Sequence, residues 1–118
     1  MEDRIIEAVH EIASAHEFLC YVVASAGGSI WRGGDCEGLN GSLVNVLFGG
    51  IDEAKGVFDF LDGRMLPQVY RQGDVFCLLM KPTIDIVVGF FAQDGRNGVN
   101  LHREGKEVSK DLEQRIGG

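Results

Sequence analysis

Residues 43–61, LVNVLFGGIDEAKGVFDFL, decide how the rest of the chain is read. At about 100° per residue, Leu43, Val44, Leu47, Phe48, Ile51, Ala54, Phe58 and Leu61 fall on one broad stripe, the face a helix lays on its own core. A second stripe, roughly opposite, holds Val46, Gly49, Gly50, Val57 and Phe60, with Gly56 beside it and Glu53 its one charge. Asp52, Lys55, Asp59 and Asp62 crowd the narrow strip between the two. Glycine inside a helix costs about 1 kcal/mol relative to alanine, and close approach of another backbone is one way to offset it. The stretch reads as one long helix, packed on its own sheet with one face and on a partner with the other. The competing reading is that Gly49-Gly50 ends one helix and a second begins near Ile51.

Working outward toward the N-terminus, Ile5, Ile6, Val9, Ile12 and Ala13 recur at helical spacing, so 3–16 is expected to be an amphipathic helix with acid at its positive end. Residues 18–24 (FLCYVVA) read as a strand apolar on both faces. Ala26-Gly27-Gly28 is a tight turn, and 29–32 returns as the second arm of a hairpin. Gly33-Gly34-Asp35 is a loop, and the long helix is expected to begin between Leu39 and Ser42. Asp62-Gly63 stops it, with Gly63 in the left-handed C-terminal conformation.

Toward the C-terminus three strands are expected. They span 65–71, 75–80 and 84–92, with turns at Gln72-Gly73 and Lys81-Pro82-Thr83. A glycine-rich loop, 93–98, leads to a last helix from about Val99 to Ile116 whose thin apolar face is Leu101, Val108, Leu112 and Ile116. Strands 18–24, 75–80 and 84–92 are apolar throughout, as central strands covered on both faces are. Strand 29–32 ends in Arg32, and strand 65–71 carries Pro67, Gln68 and Arg71, which marks both as edges. The expected architecture is a three-layer α/β/α sandwich of the α+β kind. Its antiparallel five-stranded sheet has the order 2-1-5-4-3, with the long helix on one face and the two terminal helices on the other.

Composition bounds what such a chain does. Its 118 residues, 45% hydrophobic and 25% charged, suit a single soluble domain over 1–118. No apolar run approaches the ~18 residues of a membrane span, and the acidic start MEDRIIEAVHE is unlike a signal peptide. Direct membrane insertion is not expected. A net charge of −7 without a basic cluster opposes binding to nucleic acid. Cys20 and Cys77 lie in apolar strands and the third cysteine, Cys36, in a loop. This argues against a disulfide framework and for a reducing cytoplasm.

Chemistry-bearing residues form no constellation. His10 and His16 do not share a helical turn, and neither they nor His102 pair at i+4 with a ligand type, so each reads as a surface or boundary residue. Acids flank Cys36 in GGDCEG, which raises a thiol pKa, and no spacing joins it to His102 as a metal site. AGGSIWRGGD and QDGRNG lack the lysine and hydroxyl of a phosphate loop and read as turns. Asp52, Glu53, Asp59 and Asp62 describe a solvated stripe rather than an acid–base pair. Trp31, on an edge strand, is either an exposed aromatic contact or a half-buried hairpin residue. No enzyme, metal or cofactor is expected.

The start IIEAVHEIA, the hairpin FLCYVVASAGGSIW, the helix LVNVLFGGIDEAKGVFDFL and the strand set MLPQVYRQGDVFCLLMKPTIDIVVGFFA together resemble the Roadblock/LC7 family. That family includes roadblock-type dynein light chains, bacterial gliding-protein partners of small GTPases and scaffold subunits that recruit GTPases. The likeness runs from Ile5 to Ile116 and lies in patterning rather than in a sharp motif. It implies a dimer, with an identical chain or a related subunit, in which the long helix and third strand of each subunit meet their counterparts. Val46, Gly49, Gly50, Glu53, Val57 and Phe60, with Met65, Leu66 and Val69, would then form an isologous interface. Pro67 lacks an amide hydrogen, so any ladder there has Pro67 facing away or tolerates a missing bond. The resemblance further implies a non-catalytic regulatory or scaffold role toward a Ras-like small GTPase. The alternative is a profilin-like, GAF- or PAS-type small-molecule sensor, with a pocket lined by Phe48, Phe58, Phe76 and Phe90.

Overall fold

A central strand with every residue buried, β5 (Ile86–Ala92), organises the molecule. The computed structural model describes residues 3–93 and 98–117. On one side β5 pairs antiparallel with β1 (Cys20–Ser25), Val23 opposite Val88, and on the other with β4 (Val75–Thr83), Leu78 opposite Phe90. The hairpin partner β2 (Ile30–Gly34) flanks β1, and β3 (Gln68–Gln72) flanks β4. The sheet order is therefore β2-β1-β5-β4-β3, the order expected from which strands are apolar on both faces. The edges β2 and β3 are the half-exposed strands, as their polar residues require.

Alternation along the strands divides the core in two. Tyr21, Val23, Phe76, Leu78, Met80, Val88 and Phe90 point to one face, where α1 (Asp3–Ala15) and α4 (Gly98–Gly117) cover them with Val9, Ile12, Leu101, Val108, Leu112 and Ile116. Cys20, Val22, Ala24, Cys77, Leu79, Val87 and Phe91 point to the other, under α2 (Leu43–Phe48) and α3 (Ile51–Leu61). Full burial of a side chain such as Phe91 or Leu112 contributes about 1.5–3 kcal/mol, so the two layers hold the sheet from both sides. Arg115 joins Glu11 at 2.6 Å and Asp111 at 2.8 Å across the outer surface of the terminal helices.

The long helix is the expectation that fails. It is two helices, and the break lies at Gly49-Gly50, as the competing reading had it. Gly50 is fully extended (φ −164°, ψ −174°), so the helical path ends at Phe48 and restarts at Ile51. A Cβ on Gly49 would overlap the Asn45 carbonyl, so the last turn of α2 closes tightly only around glycine. The Arg32 guanidinium donates to the Phe48 carbonyl at 2.7 Å and satisfies an acceptor that the break leaves without a helical donor. At the far end Gly63 has φ +73°, and the Arg64 amide donates to the Leu61 carbonyl, the left-handed stop its position predicts.

Smaller differences concern boundaries. Residues 81–83 continue β4 and the turn falls at Ile84-Asp85, because an irregularity between Met80 and Thr83 carries Pro82 past the ladder. Strand β3 begins at Gln68 rather than at Met65. Pro67 lies before it, buried, so its missing amide interrupts no pairing. A Cβ on Gly105 of α4 would sit 2.9 Å from Pro67 Cγ, which is why that helix is smooth there. The strand expected from Phe18 starts at Cys20 instead. Phe18 is drawn under α1 as its backbone N–H donates to the Ala13 carbonyl, with Glu17 as the left-handed residue that ends the helix. The glycine-rich loop expected at 93–98 lies mostly outside the described residues.

Candidate interaction face

The break at Gly50 decides which side chains of α3 reach solvent. Ala54, Val57 and Leu61 are its buried residues, a stripe at i, i+3 and i+7 that continues the face of α2 in a new phase. Val57, expected at a partner interface, is thus 4% exposed and belongs to the chain's own core. Ile51, expected in the core, is 61% exposed and lies over the hairpin turn at Gly28. Phe58 is half-buried, with the Lys81 ammonium 5.5 Å from its ring.

Of the other expected interface residues, Val46, Glu53 and Phe60 gather around one concavity. Val46, Leu47, Glu53, Gly56, Val57, Phe60, Tyr70 and Leu79 line a groove of about 310 Å³ between the two helices and the β3 edge. Val46 stands at its rim, 57% exposed. The Phe60 and Tyr70 rings, both in its lining, meet edge to face with centroids 5.4 Å apart. Burial pushes the Tyr70 hydroxyl above its ordinary pKa, so it is a neutral donor and acceptor there. Arg64 lies with its guanidinium carbon 4.0 Å from the Phe60 centroid while its Nε donates to the Phe60 carbonyl. Gly49 and Glu53 are exposed and Gly50 and Leu66 half-buried. Met65 and Val69 remain outside the core. The face therefore combines a groove, protruding apolar side chains and an unpaired strand edge, features that suit contact with a protein rather than turnover of a small molecule.

The remaining candidates disperse. Phe76 and Phe90 lie on the α1/α4 side of the sheet while Phe48 and Phe58 lie on the α2/α3 side, so the four do not line one cavity. Alternation of side chains along the strands separates them. Trp31 is partly buried against the α1/α4 core, the half-buried reading of the two. His10 Nδ1 is 3.2 Å from the Tyr21 hydroxyl, and His16 Nδ1 is 3.2 Å from a Glu104 carboxylate oxygen, a link between α1 and α4. His102 is exposed on α4, whereas Cys36 packs against the α2/α3 core, so opposite layers hold them. Asp52, Glu53, Asp59 and Asp62 are all exposed. The second stripe already held Val46, Glu53, Val57 and Phe60 of the groove's lining, with Gly56 beside it; the residue pattern did not bring in Tyr70 and Leu79, which need the sheet edge beside the helices.

This arrangement of layers, strand order and helix placement is a Roadblock/LC7-type fold. The gliding protein MglB from Thermus thermophilus shares it with a TM-score of 0.59 and 11% identity, over 98% of this chain and 90% of that one. Myxococcus xanthus MglB superposes with a TM-score of 0.60 at 11% identity, over 95% of this chain and 94% of that one. An MglB with a tetrameric arrangement gives 0.61 at 10% identity, over 98% and 89%. No family model and no curated protein matches the chain.

Proposed function

We propose that this chain is a non-catalytic regulatory or scaffold module that works as a dimer, with itself or a related subunit, and engages a Ras-like small GTPase. The observation that carries the dimer is the face just described. Val46 lines an apolar groove, and Met65, 83% exposed, lies just before the open β3 edge. An isolated domain exposing such a face risks aggregation, and a second copy covering it removes the exposed edge from both. The MglB structures support the reading through fold, and one of them has a tetrameric arrangement. The GTPase partner rests on the resemblance of the sequence pattern to the Roadblock/LC7 family.

Light scattering on a size-exclusion column tests the first part: the expected mass is twice that of the chain at micromolar concentration, and a persistent monomer removes the basis of the proposal. The second part is tested by calorimetric titration with small GTPases from the same cell, loaded with GDP or a non-hydrolysable GTP analogue. Binding that depends on the loaded nucleotide is expected, with no nucleotide binding or hydrolysis by this chain alone.

A further inference from the structure

Cys36 lies in the loop that joins β2 to α2, within the short 3₁₀ turn Cys36–Gly38. Its side chain turns back onto the sheet. The Sγ is 3.7 Å from the Gly33 carbonyl and packs on the same core layer as Cys20. The backbone holds the two strands together at this point: Cys20 pairs with Gly34, and the Asp35 amide donates to the Leu19 carbonyl at 3.0 Å. Burial first, and then the neighbouring Cys36 thiol, raise the Cys20 thiol above its ordinary pKa. Cys20 is wholly buried, whereas Cys36 is only partly covered and reaches solvent.

Cys77, the third thiol, is not a competitor. Cys20 and Cys77 flank Phe91 from opposite sides, which places their strands two spacings apart. That is about 9.6 Å, beyond the ~7 Å between Cα atoms that a disulfide spans.

We propose that Cys20 and Cys36 form an oxidisable dithiol, a modification site at which a small-molecule disulfide such as oxidised glutathione installs an intramolecular bond. The Cys36 thiolate attacks one sulfur of the oxidant, forming a mixed disulfide and releasing one thiolate, which takes up a proton. Cys20 then loses its proton and attacks the Cys36 sulfur, so that the Cys20–Cys36 bond forms and the second small thiol departs. Two protein thiols lose two electrons, and one disulfide is reduced to two thiols. The order follows from access. Cys36 meets the oxidant, and Cys20, kept protonated by burial, acts only once an oxidised sulfur lies against it. The bond would tether the loop before α2 to β1.

The test is exposure of the full chain to graded ratios of reduced and oxidised glutathione, followed by acid quench, alkylation and intact mass with peptide mapping. The expected product has lost two hydrogens, links the Cys20 and Cys36 peptides, leaves Cys77 alkylated and has a higher urea midpoint than the reduced chain. Cys77→Ala keeps the bond, and Cys20→Ala stops at a glutathione adduct on Cys36. A wild-type chain that holds such an adduct without resolving it overturns the proposal. So does one that couples Cys36 between two chains, or that keeps three free thiols at every ratio.

Discussion

At the scale of single residues, one glycine behaves differently from its neighbours. Gly56 is the only one of the three glycines of residues 43–61 that lies inside a helix, and a Cβ there would meet nothing within 4 Å. Gly56→Ala is therefore expected to stabilise the monomer by about 0.5–1 kcal/mol, read as a higher urea midpoint under conditions that keep the chain dissociated. A bulkier residue, Gly56→Leu, would fill the groove and weaken self-association without harming the fold. Phe48 makes the opposite case. It is fully buried and edge-on to Phe91 at 6.3 Å, so Phe48→Ala should cost about 3–5 kcal/mol of unfolding free energy in the same assay. The contrast between these substitutions separates residues that build the domain from residues that only face outward. Gly50 belongs with the second group: its extended backbone suits any residue, and a Cβ would rest 3.5 Å from the Glu53 carboxylate.

At the scale of elements, the joint between α2 and α3 matters most. Helix α2 has six residues, too few for helix propensity to sustain it alone. Its stability comes from Leu43, Val44, Leu47 and Phe48 on the sheet and from the Arg32 cap on the Phe48 carbonyl. Arg32→Ala is expected to cost about 1–2 kcal/mol and to speed hydrogen exchange in α2 more than in α1 or α4. The end of α3 offers a second check. Gly63→Ala puts a Cβ into left-handed backbone and should cost about 1–2 kcal/mol by urea unfolding, although open space surrounds the site. If neither loss is observed, the two-helix layer is held by something other than its caps.

At the scale of the whole molecule, the α2/α3 face is where the proposed assembly is tested. Val46→Asp and Met65→Ser act on exposed positions and should leave the monomer's stability within about 0.5 kcal/mol. Together they are expected to convert a dimer to a monomer in light scattering, because a desolvated carboxylate on an apolar partner face is costly. Substituting the equally exposed Ile84, at the β4–β5 turn away from the groove, should leave the mass unchanged. A result in which Ile84→Ser dissociates the protein and the Val46 and Met65 variants do not would move the interface to the β4–β5 turn.

What the amino-acid order alone determined was architecture. Strands 75–80 and 84–92 are apolar almost throughout, which forces both faces of the sheet to be covered. The polar residues of β2 and β3 then force those strands to the edges, and strand order follows. Exposure of Val46 was also legible, from periodicity. Only the tertiary structure decided the phase of α3. A pair of glycines is compatible with a continuous helix or with a break, and local sequence does not choose between them. Arg32, distant in the chain, tips the balance by capping Phe48. That single break carried Val57 into the core and Ile51 out of it. The nearness of Cys20 and Cys36 was hidden for the same reason: β2 and its loop must fold back on β1 before residues sixteen positions apart share one core layer.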